Sequence, residues 1–169
     1  MDSDRLGRLI DQHAAALELY ARQWCGTAED VVQEAFLKLV QQHPEPENPA
    51  AWLFRAVRNG AINAAVAARR RRRREADAAA GTRGWFQSPP DAAPADAIDP
   101  AVAEGELQQL PLEQREVIVA HLWGGLTFEQ IGQISGTSSS TAHRLYGAGL
   151  STLRERLGVS CPRSRENRR

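Results

Sequence analysis

The feature that most limits the fold is a break in the apolar pattern between positions 75 and 100. Alanine, glycine, proline and aspartate dominate this stretch, and no apolar period survives in it. Such a composition is typical of a linker. Because apolar residues recur at helical spacing on both sides of the break, the sequence predicts an all-α protein of two small helical domains joined by a flexible linker. We expect domains over 1–74 and 101–160, a linker over 75–100, and a basic tail over 161–169.

The overall composition excludes several classes of protein. Hydrophobic residues make up 42% of the 169 positions and charged residues 25%, which is typical of a soluble globular protein. No apolar run is long enough to span a membrane, and the first residues lack the blocks of a secretory signal. We therefore expect a cytoplasmic protein without membrane insertion. Cys25 and Cys161 lie far apart, which favours two free thiols over a disulfide framework or a zinc site.

Charge is distributed unevenly along a chain whose formal net charge is +0. Acidic residues collect near the start and over 91–106, whereas arginine collects over 69–74 and again after position 143. The balanced total argues against a uniformly basic nucleic-acid-binding surface. Segregation of charge by segment still permits a local basic face.

Two amphipathic helices are predicted before the first proline. Leu6, Leu17 and Tyr20 lie on the apolar stripe of the first helix, which we expect to end near Gly26. Thr27 begins a T-x-x-D motif, in which the hydroxyl is expected to cap the second helix. The second helix combines an apolar stripe with an acidic outer surface, whose polar residues are Glu29, Asp30, Gln33 and Glu34.

A third helix is predicted after a proline-rich loop over 43–49. Asn48 and Pro49 have the residue types of an N-cap and of a first helical position. Trp52 follows at an apolar helix position. A tryptophan at such a position is more often a core residue than a stacking platform for an exposed base.

One face of this third helix is basic. It carries residues at helical spacing that continue into the arginine run: Arg55, Arg58, Asn59, Arg69 and Arg70. A charge run is often no more than a solvated segment. Because this run extends an existing polar face, we interpret the surface as one that neutralises nucleic-acid phosphates.

The segment over 127–157 has the pattern of a helix-turn-helix. Thr127 and Gln130 predict a capping box before a short helix, and Gly136 predicts a turn. The first turns of the longer helix that follows carry side chains able to contact phosphates or base edges, namely Ser138, Ser139, Ser140, Thr141, His143 and Arg144. The alternative is an ordinary helical hairpin with polar residues facing water. The caps and the glycine turn favour the helix-turn-helix.

Catalytic and metal-binding patterns receive little support. The four histidines are scattered without metal-ligand spacing, and no glycine-rich phosphate loop, nucleophile elbow or cysteine–histidine cluster occurs. Glu29 and Asp30 are already explained by the favourable interaction of acids with a helix start. We therefore expect no catalytic residue, no metal and no cofactor.

Two blocks resemble one family, the extracytoplasmic-function sigma factors of the housekeeping-sigma superfamily. AEDVVQEAFLKL (28–39), NPAAWLFRAVRNGAIN (48–63) and the following basic run are similar to their region two. LPLEQREVIVAHLWGGLTFEQIGQISGTSSSTAHRLYGAGLSTLRERL (110–157) is similar to their region four. Both blocks stand in the family's order and spacing, with the linker between them.

The resemblance implies a function in transcription initiation. The first domain would bind the clamp helices of the largest subunit of core RNA polymerase through Glu29, Asp30, Gln33 and Glu34. The loop over 43–49 and the third helix would hold the melted minus-ten strand, with an extruded base in the loop, through Asn48, Trp52, Arg55, Arg58, Asn59, Arg69 and Arg70.

The second domain would bind the minus-thirty-five duplex of the promoter. Its reading helix would use Ser138, Ser139, Ser140, Thr141, His143 and Arg144, and the remainder of the domain would contact the flap of the second-largest polymerase subunit. An anti-sigma factor that masks both domains is a further implied partner. The sequence departs from the family over 145–150, where relatives commonly carry basic residues. Gly147 and Gly149 each cost the helix roughly 1 kcal/mol relative to alanine.

The main alternative is a helix-turn-helix regulator that binds duplex DNA without polymerase. It accounts for 110–157 only and gives no task to the acidic helix, the proline-rich loop or the basic face. A helical nucleic-acid enzyme is more remote, because clustered metal-binding carboxylates and a nucleophile are missing from the sequence pattern.

Overall fold

The computed structural model describes residues 2–78 and 105–158. The expected linker beyond position 78, the basic tail and Cys161 lie outside the described residues. All regular secondary structure in the described ranges is helical. Within the described residues, Cys25 is a free, half-buried thiol.

The first module, residues 2–78, is a bundle of three helices. Helix α1 spans Ser3–Ala21, α2 spans Ala28–Gln41 and α3 spans Pro49–Ala78. Each helix carries one apolar stripe, and the three stripes face each other because a short helix is stable only when such a stripe is buried. The fully buried side chains at the centre are Leu17, Tyr20, Leu39, Leu53, Phe54 and Val57.

The predicted N-cap and first residue of α3 are confirmed. The Asn48 side-chain oxygen accepts a hydrogen bond from the backbone N–H of Ala51 at 2.9 Å, and Pro49 is the first helical residue. The helix then continues without interruption through the arginine run to Ala78. The arginines therefore extend one rigid helix rather than a loop, and the domain boundary at 74 stays a prediction.

Two local predictions in the first module were wrong. Thr27 is the N-cap residue of α2, but its φ of −105° and ψ of 48° are not the extended angles that aim a hydroxyl at the helix, and the side chain makes no capping hydrogen bond. Helix α1 ends at Ala21, well before Gly26. The chain instead turns there, and the Trp24 N–H donates to the carbonyl of Ala21 at 3.0 Å.

The second module, residues 105–158, begins with a helical turn over 105–108 and contains three further helices. Helix α4 spans Leu112–Leu122, α5 spans Phe128–Ser135 and α6 spans Ser139–Arg156. Pro111 precedes α4 as its N-cap residue. The core of this module is formed chiefly by Val117, Ile118, Val119, Ile131 and Ala142.

The two modules pack against each other through α1, α3, α4 and α5. The ring of Phe54 lies so close to the backbone of Gly124 that a Cβ atom at Gly124 would stand 2.5 Å from Phe54 Cζ. The same Cβ atom would lie 2.5 Å from the carbonyl oxygen of Ala120, so a side chain at position 124 would require this backbone and the Phe54 ring to shift. The sequence contained no sign of this contact, because the two residues lie on different modules.

The two glycines in the second half of α6 have different surroundings. A Cβ atom at Gly149 would lie 2.6 Å from Ile118 Cδ1 and 3.2 Å from Gln114 Cβ, whereas a Cβ atom at Gly147 would meet nothing within 4 Å. Ile118 is fully buried and has little room to yield. Gly149 therefore permits α6 to approach α4, and Gly147 has no such packing role.

These surroundings predict opposite effects of the same substitution. Gly147→Ala should raise the free energy of unfolding by about 1 kcal/mol, because alanine is the better helix former in an open position. Gly149→Ala should lower it by about 1 kcal/mol or more, because overpacking at Ile118 outweighs the gain in helix propensity. Urea unfolding followed by circular dichroism measures both. Equal stabilisation by the two substitutions would contradict the packing role of Gly149.

Candidate nucleic-acid interface

A polar groove runs between α2 and α3 on the first module. Its volume is about 300 Å³. Trp52 is half-buried at its wall and packs partly on the core, while Arg55 and Asn59 are exposed. The structure thus places three of the predicted strand-binding residues at one groove.

Two residues that the sequence analysis did not single out also line this groove. Lys38 comes from α2, and Asn63 follows Asn59 by one turn of α3. The Lys38 ammonium lies 2.8 Å from the carboxylate of Glu34. The spacing of Asn63 from Asn59 is a sequence signal that was available, whereas the position of Lys38 depends on how α2 and α3 pack.

Arg58 is directed away from this groove and towards the second module. Its Nε donates to Glu116 Oε1 at 2.6 Å, and its guanidinium lies 6.0 Å from the ring centroid of Trp24. Burial disfavours the charged guanidinium, but the hydrogen bond and charge of Glu116 outweigh that effect and raise the pKa of Arg58. Arg58 is therefore a charged group held in an ion pair.

Tyr20 completes this cluster. Its hydroxyl donates to the same carboxylate oxygen of Glu116 at 2.8 Å, and its ring makes edge-on contacts with Trp24 and Phe54. Burial, followed by the negative charge of Glu116, raises the pKa of Tyr20 far above its ordinary value. The phenol remains protonated and serves as a hydrogen-bond donor. Sequence reasoning missed Glu116 because no local pattern links residues 96 positions apart.

The arginine run forms an exposed extension of α3. The side chains of Arg69 and Arg70 are exposed, as are those of the four arginines that follow. The Nε of Arg74 donates to the backbone carbonyl of Arg70 at 3.4 Å, within the helix itself. Successive residues of an α-helix point in different directions around its axis, so these solvated guanidinium groups surround the end of α3. Such a segment is suited to phosphate binding without base selection.

The helix-turn-helix is confirmed in the second module. Thr127 and Gln130 form a reciprocal capping box at the start of α5, and Gly136 adopts a φ of 75° at its end. A Cβ atom at Gly132 would lie 2.8 Å from the carbonyl oxygen of Thr137, so a glycine is needed where the turn passes over α5. These features fix the angle at which α6 leaves the turn.

The N-terminal turns of α6 present most of the predicted duplex-binding residues to solvent. Ser139, Ser140, His143 and Arg144 are exposed, and Thr141 is half-buried. The ring of His143 contacts Phe128 edge-on, with centroids 5.1 Å apart. The Ser138 hydroxyl accepts from the Thr141 N–H at 3.1 Å and thereby caps the helix. Ser138 therefore has a structural task beside any contact with DNA.

The acidic surface of α2 adjoins a second, apolar groove. Glu29 and Gln33 line this groove between α1 and α2, which has a volume of about 460 Å³. Its wall includes three unusually exposed apolar side chains: Ile10 is 39% exposed, Leu37 65% and Val40 41%. Such a surface is typical of a protein-docking site. Asp30 and Glu34 are also exposed on α2.

The described part of the chain has neither a metal-binding cluster nor a membrane-spanning helix. Within residues 2–78 and 105–158, no three His, Cys, Asp or Glu side chains come together in a way that would hold a metal ion. Among the helices described there, none has the length and apolar content needed to cross a membrane.

The second module has a helix-turn-helix with an exposed polar surface, and the first has a polar groove and the arginine run. Together these features are typical of a nucleic-acid-binding protein. Models of two families match the chain: Sigma-70 region 2 over residues 9–75, and Sigma-70, region 4 over residues 107–155. The chain is also 34% identical over 137 residues to the RNA polymerase sigma factor CarQ of Myxococcus xanthus, covering 78% of this chain and 75% of that protein.

Two solved structures share the fold. The sigma factor RpoE of Bartonella quintana, in complex with the anti-sigma factor NepR, matches with a TM-score of 0.64 and 24% identity over 95% of this chain and 100% of the other. CnrH in complex with the cytosolic domain of CnrY matches with a TM-score of 0.58 and 22% identity over 95% of this chain and 92% of the other.

The chain belongs to the sigma-70 family of RNA polymerase sigma factors, and its relatives are of the extracytoplasmic-function type. The resemblance on which the sequence analysis depended is confirmed. The alternative of a helix-turn-helix regulator acting without polymerase is not favoured, because the first module also matches a sigma region.

The cap at Ser138 generates a stability prediction. Ser138→Ala should lower the free energy of unfolding by about 1 kcal/mol, because the Thr141 N–H loses its acceptor at the start of α6. Ser139→Ala is the matched control, since Ser139 is exposed and follows the cap. Urea unfolding of the two variants makes the comparison. A Ser138→Ala protein as stable as the control would remove the structural task assigned to this hydroxyl.

Proposed function

We propose that the two modules divide the work of promoter recognition. The first domain, which we assign to 1–74, docks on core polymerase and holds the melted minus-ten strand. The second, over 101–160, binds the minus-thirty-five duplex. The observation that carries this proposal is that one chain combines an exposed helix-turn-helix reading surface with a separate groove that is lined by basic and amide side chains.

The strand site is proposed at the groove between α2 and α3. Arg55 and Lys38 supply positive charge for phosphates, while Asn59 and Asn63 supply amides that both donate and accept hydrogen bonds. An unpaired base exposes the edges that such amides read and a face that Trp52 can stack on. Asn48, Arg69 and Arg70 continue this surface along α3 and its entry loop. Single-stranded DNA fits these features better than a duplex, whose edges are already paired.

The duplex site is proposed at the start of α6. An α-helix fits the major groove of B-DNA, where side chains near its N-terminus reach base edges. Ser139, Ser140 and Thr141 are small hydroxyl residues that allow close approach, and His143 and Arg144 supply longer donors. The second half of α6 packs on α4 instead, so we assign base reading to the first turns alone.

The polymerase-docking surface is proposed on the outer side of α2. Glu29, Asp30, Gln33 and Glu34 would face basic groups on the clamp helices, and the apolar groove beside them would take apolar side chains. We also propose that the second module contacts the polymerase flap. Sigma factors act on the polymerase without catalysing a reaction themselves, and we assign this chain to the same non-enzymatic role in the cytoplasm.

An anti-sigma factor is a further proposed partner. RpoE was solved in complex with NepR, and CnrH in complex with the cytosolic domain of CnrY. Because this chain shares their fold and exposes an apolar groove of its own, we propose that it is restrained by a protein of the same kind.

Transcription with purified components tests the proposed function. Core polymerase with the purified chain should produce transcripts from some members of a genomic fragment library, and core polymerase alone should not. Leu37→Glu should abolish both the transcripts and co-elution with core polymerase, because it places a charge in the apolar groove. Gln42→Glu, at an exposed position beyond the end of α2, is the control. Transcription at every fragment without promoter preference, or none at all, would refute the proposal.

The division of labour generates a finer prediction. Arg55→Ala should weaken strand opening with little effect on binding of the minus-thirty-five duplex, whereas His143→Ala with Arg144→Ala should cost about 1–3 kcal/mol per lost base contact in duplex binding. Permanganate reactivity measures opening, and electrophoretic mobility shift measures duplex affinity. Arg8→Ala and Arg154→Ala, both at exposed positions, are the controls. An exchange of the two effects would reverse the assignment.

A further inference from the structure

Glu116 is a carboxylate of the second module that is buried by the first. It is 4% exposed, and both of its side-chain hydrogen-bond donors, Arg58 and Tyr20, come from the first module. An ionised carboxylate is costly to bury unless it is paired and hydrogen-bonded. The burial of Glu116 therefore depends on the contact between the modules.

The contact at Glu116 occupies a residue of the basic face. Arg58 follows Arg55 by one helical turn and adjoins Asn59 in sequence. A carboxylate and a phosphate offer a guanidinium the same kind of oxygen acceptor, and the charge-assisted hydrogen bond is similar. The Nε of Arg58 has one hydrogen to donate, and at 2.6 Å from Glu116 that donor is taken.

We propose that Glu116, held by Arg58 and Tyr20, is an intramolecular latch that keeps the free chain closed and takes the place of a nucleic-acid phosphate at Arg58. Opening separates the modules and exposes Glu116 to water. The released Arg58 side chain, one helical turn from Arg55, then turns towards the minus-ten strand. This inference depends on the proposed strand-binding role of the basic face. A closed majority raises the apparent dissociation constant for a single strand by the reciprocal of the open fraction.

Energy transfer between two dyes measures the closed fraction in the full chain. Cys25→Ser and Cys161→Ser remove the native thiols, and Asp11→Cys and Gln133→Cys place dyes at exposed positions on the two modules. Glu116→Gln keeps the shape of the side chain but removes its charge. Glu113→Gln, at an exposed position of the same helix, is the matched control. Tyr20→Phe deletes the second donor while it retains the ring.

The expected result is lower transfer efficiency for Glu116→Gln and, more weakly, for Tyr20→Phe, with no change for Glu113→Gln. Binding of a short, fluorescein-labelled single strand of mixed sequence should tighten roughly tenfold for Glu116→Gln, because a buried hydrogen-bonded charge pair is worth about that factor. Circular dichroism of each variant verifies that its helices remain folded. Should Glu116→Gln unfold the chain, Tyr20→Phe carries the same comparison.

Two failures are distinguishable. If Glu116→Gln and Tyr20→Phe match Glu113→Gln in transfer efficiency, or if opening leaves strand affinity unchanged, the latch is overturned. If Arg55→Ala binds the single strand as tightly as the unsubstituted chain in both the closed and the Glu116→Gln backgrounds, the strand-binding face itself is wrong. The first outcome leaves the proposed function intact, whereas the second does not.

Discussion

Both the core of the first module and its contact with the second module depend on Tyr20. Its ring contacts Trp24 and Phe54, and its hydroxyl reaches Glu116 across the junction. Tyrosine suits this position because it combines a large apolar surface with one polar atom that must find a partner when buried. Phe54 then meets the backbone at Gly124, so the same cluster sets how closely the modules approach.

Helix α3 has two tasks, and the side chains that perform them point to different sides of the helix. Arg55 and Asn59 face the groove with α2, whereas Arg58 faces the second module. Side chains of one helix therefore contribute both to the contact with the second module and to the surface that we assign to the melted strand. In the second module, Ser138 also combines two tasks, because its hydroxyl caps α6 at the surface that we assign to duplex DNA.

Much of the fold was predictable because its determinants are local. The cap at Asn48 and the capping box at Thr127 depend on residue types a few positions apart, and both were confirmed. The cap at Thr27 failed because the same residue type adopts different backbone angles, which sequence pattern does not specify. The residue types of the candidate site were also predictable, but their roles stay predictions. Contacts such as that of Arg58 with Glu116 could not be predicted from the sequence, because they join residues 58 positions apart on separate modules.

The close approach of Gly149 to Ile118 limits which parts of α6 can change in sequence without loss of packing. At Gly149 the second half of α6 is committed to packing against α4, so a larger residue at this position would lower the stability of the fold. This contact does not involve the exposed residues of the first turns, Ser139, Ser140 and His143. Under the duplex-binding role that we propose for these turns, new promoter preferences would arise by exchange of a few side chains there, without a change in the packing that positions α6.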